Sequence, residues 1–197
     1  MQRTTASTFA ALSISIAASL FYTPAIAQPD IANIRPEATL SVEGNTLVLN
    51  GAGLRSKFVI DVYVAALYVS TPSQDATALI NSQSPRRMRL HLLRTIDSKT
   101  LDAALQEGLN ANTTDTERQN LRESANQLSQ LMASIGTAKE GDIVDLDFSA
   151  NGVSVTYNAR PLGHIKNSAF SSALLAVWLG DKPAQTSLKK ALLGLNN

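Results

Sequence analysis

The chain has 197 residues, 17 basic and 16 acidic side chains for a formal net charge of +1, 44 % hydrophobic residues and no cysteine. So even a balance argues against nucleic acid or an anionic membrane surface as the main partner, since both demand a basic excess on one face. The missing cysteine excludes thiol catalysis, cysteine-ligated zinc, disulfide staples and a lipid-bearing N-terminal cysteine; stability has to come from a buried core, for which the length suffices.

Met1 to Thr5 carries one cation, Arg3, and Phe9 to Tyr22 is small and apolar; Ala25-Ile26-Ala27 then precedes Gln28-Pro29-Asp30. That order is the pattern of a signal peptide over residues 1–27, cleaved near Ala27. The apolar stretch is broken by Ser13, Ser15, Ser19 and Pro24 and falls short of the roughly 20 residues of a membrane span. The expectation is a periplasmic or secreted protein of residues 28–197 without stable membrane insertion. Loss of Arg3 leaves it 16 basic and 16 acidic residues. No composition break, linker or repeat divides that remainder, which reads as a single domain.

Thr39 to Glu43, a Gly44-Asn45 turn and Thr46 to Asn50 read as a first pair of strands. Phe58 to Ser70, rich in β-branched and aromatic residues and closed by Pro72, reads as a third. Between them Gly51-Ala52-Gly53 and Ser56-Lys57 suggest a tight turn. Asp75 to Asn81 is a short helix candidate. Arg87 to Arg94 alternates Arg87, Arg89 and His91 with Met88, Leu90 and Leu92, a strand with one wet face.

From Asp97 the period becomes helical. Leu101, Ala104, Leu105, Gly108 and Leu109 recur behind an Asp97 or Ser98 cap, and Leu121, Ala125, Leu128, Leu131, Met132 and Ile135 form a second stripe stopped by Gly136. Strands return at Asp142 to Ser149 and Val153 to Asn158 around the Asn151-Gly152 hairpin signal. A turn over Arg160-Pro161-Leu162-Gly163 follows. Asn167 then caps a helix from Ser168 to Leu179 ended by Gly180, and a last short helix lies around Ser187 to Leu193. The pattern is α+β, an antiparallel sheet with helices packed on one face.

Few residues carry chemistry. His91 and His164 are the only histidines and stand in no triad or metal spacing. Gly51-Ala52-Gly53 lacks the third glycine and following helix of a dinucleotide loop. Asp145 and Asp147 share a strand face and read as solvated, with no second acidic cluster to make a cation site. Asn112-Thr113-Thr114 is a glycosylation sequon, meaningful only in a eukaryotic host.

Arg55, Tyr63 and Tyr68 remain. On one straight strand Arg55 and Tyr63 would stand about 26 Å apart. They meet only if the chain folds back near Ser56, which puts them on neighbouring strands. A guanidinium and a phenol converging in an apolar cleft suit a carboxylate or enolate oxygen on a hydrophobic body; a snorkelling arginine beside two core tyrosines is the plainer alternative.

Gly51-Ala52-Gly53-Leu54-Arg55, followed by Phe58 and the Val62 to Val69 strand, resembles the Gly-Ala-Gly-x-Arg segment of chalcone isomerase. Ile165 to Pro183, ending Trp178-Leu179-Gly180-Asp181-Lys182-Pro183, is similar to that family's C-terminal helix. The likeness spans nearly all of residues 28–197 and points to the bacterial exported branch. It implies an open-faced β-sandwich: a large antiparallel sheet, helices on one face and a ligand cleft between.

In the plant enzymes of that family the motif arginine holds the chalcone oxygen, a role that falls by match on Arg55. Fatty-acid-binding members hold a carboxylate with the same arginine and a tyrosine, here Arg55 and Tyr63. The plant enzymes' polar helpers are replaced: Tyr63 stands for a threonine, Val177 for a helix threonine or serine, and a tyrosine and asparagine fall near Ile96 and Ala103. Losing such donors costs orders of magnitude in ring closure.

The resemblance therefore implies a protein that binds a fatty acid or similar hydrophobic carboxylate through Arg55, Tyr63, Tyr68 and Val177 without chalcone isomerase activity. It implies no cofactor, metal or nucleic-acid partner. The alternatives are an isomerase (intramolecular lyase) that uses Arg55 as electrophile on a flavonoid-like ligand, and a structural or interaction domain with Arg55 in an internal ion pair, for instance with Asp61.

Overall fold

A computed structural model describes residues 30–195; the segment read as a signal peptide, 1–27, lies outside them. In chain order come β1 (Thr39–Val42), β2 (Asn45–Lys57), β3 (Ile60–Val69), α1 (Ala76–Asn81), β4 (Arg86–Leu92), β5 (Ile96–Asp97), α2 (Ser98–Ala111), α3 (Asp115–Ala133), β6 (Thr137–Ala138), β7 (Ile143–Ser149), β8 (Gly152–Tyr157), β9 (Arg160–Ile165), α4 (Ser168–Leu179) and α5 (Thr186–Leu192). The fold is α+β. Seven strands form one sheet in the order β1-β2-β3-β4-β7-β8-β9, every neighbouring pair antiparallel, and β5 and β6 pair separately.

The alternation along β4 shows why the helices pack where they do. Met88, Leu90 and Leu92 are buried in the main core together with Ala65 and Leu67 of β3 and Val144 and Leu146 of β7. α3 and α4 cover β7 to β9, α2 lies against both helices, and α5 lies on β2. The helices start where their caps predict. Asp97 accepts from Lys99 N, Thr114 and Glu117 form a reciprocal capping box, and Asn167 accepts from Phe170 N.

Three expectations are corrected. Gly51-Ala52-Gly53 is not a turn, because β2 runs unbroken from Asn45 to Lys57 and the chain reverses only at Phe58-Val59. The two glycines serve a close approach instead: a Cβ on Gly51 would lie 2.1 Å from the Ala191 carbonyl oxygen, and one on Gly53 would lie 2.7 Å from the Ala191 Cβ. Arg160 to Gly163 is likewise strand, β9. The reversal sits one step earlier at Asn158 and Ala159, both in the left-handed region.

The third correction concerns the face of β4 expected to be wet. Arg87 and Arg89 are only 13 % and 14 % exposed in their side chains, and Asp145 opposite them 6 %. Arg89 grips both oxygens of Asp145 at 2.8 and 2.9 Å, and Arg87 grips both oxygens of Asp147 at 2.5 and 2.6 Å. Cross-strand pairing across β4 and β7 neutralises charges that alternation alone would send to solvent.

Candidate ligand-binding cleft

Two irregularities aim the side chains. A bulge at Asn50 shifts the register between Leu49 and Gly51, so Leu49 pairs with Tyr68 while Gly51, Gly53 and Arg55 pair with Leu67, Ala65 and Tyr63. Without that extra residue, odd-numbered Arg55 would share the face of Leu49. The Asn50 side chain fixes the bulge by donating to the Leu192 carbonyl at 2.7 Å and the Ser73 carbonyl at 3.0 Å and accepting from Ser73 N at 2.7 Å. The second shift, between Arg55 and Ser56, lets Val62 bulge on β3.

Arg55 therefore stands directly across from Tyr63 on the helix-bearing face. Its guanidinium donates to the Ser56 carbonyl and, at 3.3 Å, to Gln185 Oε1, which also accepts from Ser56 N at 3.0 Å. No carboxylate among the described residues pairs with it; Asp61 accepts instead from Ser56 Oγ at 2.7 Å. The Tyr63 hydroxyl, buried in the core, accepts from Trp178 Nε1 at 3.1 Å. Burial raises its pKa above the usual 10.0, although Trp178 and the nearby Arg55 pull the other way.

Arg55 and Tyr63 line a cleft of about 980 Å³ between the β2–β3 end of the sheet and α2, within the range of about 300–1,000 Å³ usual for small-molecule sites. Small residues set α2 back from β3: Ala103, Ala104, Gly108 and Ala111 line that wall, with Leu101 and Leu105 beside them. Gly108 also admits α4, since a Cβ there would lie 2.6 Å from Val177 Cγ1. The rim is basic, with Lys57, Arg94, Lys99 and Lys182 against Asp97 and Glu107.

Of the four residues named from sequence, the structure brings Arg55, Tyr63 and Val177 to this cleft. Tyr68 is a correction. It lies five positions from Tyr63, so alternation turns it to the opposite face, where it packs with Val42, Leu47 and Ala66 and donates to Glu37 at 3.2 Å. Ile96 and Ala103, which stand near a tyrosine and an asparagine of the plant enzymes, both line the cleft.

Sequence reasoning missed Trp178 and Gln185. A lone tryptophan next to Val177 was a signal, because a buried indole N–H takes a partner; nothing marked Gln185. Among the described residues no cluster of three histidine, aspartate or glutamate side chains could hold a metal, and Asp145 and Asp147 are engaged by arginines.

A half-covered antiparallel sheet with a cationic, mostly apolar cleft beneath its helices is an open-faced sandwich. The chain belongs to the chalcone isomerase-like family, whose description fits residues 28–194. It is similar to a fatty-acid binding protein of Arabidopsis thaliana, at a TM-score of 0.66 and 15 % identity, over 82 % of this chain and 92 % of that one. At that identity the likeness shows the fold alone. No curated protein matches the chain in sequence.

Proposed function

We propose that the protein is an exported carrier of an amphipathic carboxylate such as a fatty acid, with the head group on Arg55, a hydrogen bond from Tyr63 and the tail along α2 and Val177. The observation that carries this reading is Arg55 itself. Its hydrogen-bond partners are the neutral oxygens of Ser56 and Gln185, so its full charge is available to an anion entering an apolar cleft. The fatty-acid-binding neighbour in the same fold supports it. So do Val177, Ile96 and Ala103, which supply none of the hydroxyl or amide donors that ring closure on a chalcone uses.

Calorimetric titration with a long-chain fatty acid tests it. Arg55→Ala is expected to weaken binding about 10- to 100-fold, the worth of a charge-assisted hydrogen bond. Equal affinity in the variant overturns the assignment. Cyclisation of a chalcone well above its spontaneous rate, lost in Arg55→Ala, would replace it with an isomerase.

A further inference from the structure

We infer that the tip of the β2–β3 hairpin, Phe58-Val59-Ile60, docks the protein onto an anionic lipid bilayer with the cleft mouth against the headgroups; this rests on the cleft taking an amphipathic carboxylate. Phe58 is 92 %, Val59 96 % and Ile60 45 % exposed, and the one other large apolar side chain so exposed among the described residues is Leu195. Three consecutive apolar residues presented to water on a folded monomer mark an interaction site. Their place specifies which one. Phe58 and Ile60 are themselves part of the cleft lining, so whatever buries the tip also meets the entrance.

The backbone holds the tip outward at a cost. The chain reverses in two residues between Lys57 and Ile60, and the first, Phe58, has φ +57, a position where hairpins favour glycine. A bulky side chain in that region is strained, and burial of its ring within the protein does not compensate the strain.

Charge decides between a bilayer and a neutral apolar partner. Lys57 flanks the tip, and Arg94, Lys99 and Lys182 stand exposed around the same mouth. Asp97 and Glu107 of the lining and Asp61 at the base of the hairpin offset part of this charge, but with Arg55 the lining holds five cations against those three acids, so the mouth stays net positive. The chain as a whole is nearly neutral, yet this one edge pairs apolar side chains with a ring of cations, the composition that binds an interface between headgroups and acyl chains. No helix of the described residues is long and apolar enough to span a membrane, so the contact is peripheral. A bilayer is also where an amphipathic carboxylate resides.

Flotation of the intact protein with vesicles of phosphatidylethanolamine and phosphatidylglycerol, against vesicles of phosphatidylcholine alone, tests this. Binding is expected to the anionic vesicles, to fall with salt, and to drop at least about tenfold in both Val59→Asp and Phe58→Ser, the partition loss of one large apolar side chain. Val59 lies outside the cleft lining, so Val59→Asp should keep the fatty-acid affinity measured in solution without vesicles. That separates failure of docking from failure of the carboxylate reading. Vesicle binding equal in wild type and both variants overturns the proposal, as does none by the wild type. A concentration-dependent dimer abolished by Val59→Asp would overturn it in favour of a second copy.

Discussion

Trp178 on α4 donates its indole N–H to the Tyr63 hydroxyl on β3 at 3.1 Å, deep in the core behind a tyrosine that lines the cleft. A phenol has one proton to give and two lone pairs to receive. With Trp178 on the receiving side, the proton of Tyr63 is what it can offer a ligand oxygen.

Tyr63→Phe therefore has two consequences. It leaves a buried indole N–H without a partner, at a cost of about 1–3 kcal/mol, and it removes one donor to the head group. Denaturant unfolding should show the first and fatty-acid titration the second. Unchanged stability would mean that the indole finds another acceptor.

Arg55→Gln separates a binding cation from a structural one. With no carboxylate paired to Arg55 among the described residues, unfolding free energy should change by less than about 1 kcal/mol, the worth of an ordinary hydrogen bond. An internal ion pair with Asp61 would instead make the loss about 3–5 kcal/mol.

The contact between β2 and α5 is tested at Gly51. A methyl group there would lie 2.1 Å from the Ala191 carbonyl oxygen, and because the obstacle is backbone, α5 has to move. Gly51→Ala should destabilise by about 1–3 kcal/mol or more and weaken ligand binding, since Gln185 at the start of α5 moves away from Arg55. A variant with wild-type stability would mean that α5 is loosely held.

What was legible in the sequence was the information stored within single elements. The alternation of β4, the Asn167 cap and the Asn151-Gly152 hairpin are local signals, and each marks an element that forms, although β4 spans Arg86–Leu92 rather than Arg87 to Arg94 and its charged face is paired. Fold-back near Ser56 was the condition for Arg55 to meet Tyr63, and the reversal falls two residues later. The failures have longer-range causes. Gly51 and Gly53 resemble turn residues until α5, some 140 positions on, lies against them. The Asn50 bulge, which turns Arg55 to the helix face, is fixed by Ser73 and Leu192. Tyr68 needed only strict alternation from Tyr63 to be placed correctly. Arg87 and Arg89 looked wet because their aspartate partners lie on β7, more than 50 residues away.

That ladder carries its own prediction. Asp145 receives Arg89 through both oxygens and stands 3.1 Å from Arg87, and it is 6 % exposed. Asp145→Ala takes from Arg89 its bidentate partner, leaving it the more exposed Glu37, and from Arg87 one of its two carboxylates, in a largely covered site, so unfolding free energy should fall by about 3–5 kcal/mol. A loss below about 1 kcal/mol, the value for an exposed pair, would show that solvent reaches the arginines.

His91 on the same face sets a pH dependence. Its Nε2 is buried without a hydrogen-bond partner, and burial first, then the charge of Arg89, lower its pKa from 6.5, with Glu37 and Asp145 acting in the opposite direction. Folding thus favours the neutral ring. Above the unfolded value of 6.5 both states are neutral and the contribution is complete; as pH falls below it the unfolded chain takes up a proton that the folded ring resists, and stability is lost. Melting temperature should fall between about pH 7 and about pH 5, and His91→Gln should flatten that part of the curve. Glu37, whose pKa lies below 4.5 in the fold, contributes its own loss in a more acidic window, so the two effects separate along the pH axis. A slope that His91→Gln leaves unchanged would show that another group carries the acid sensitivity.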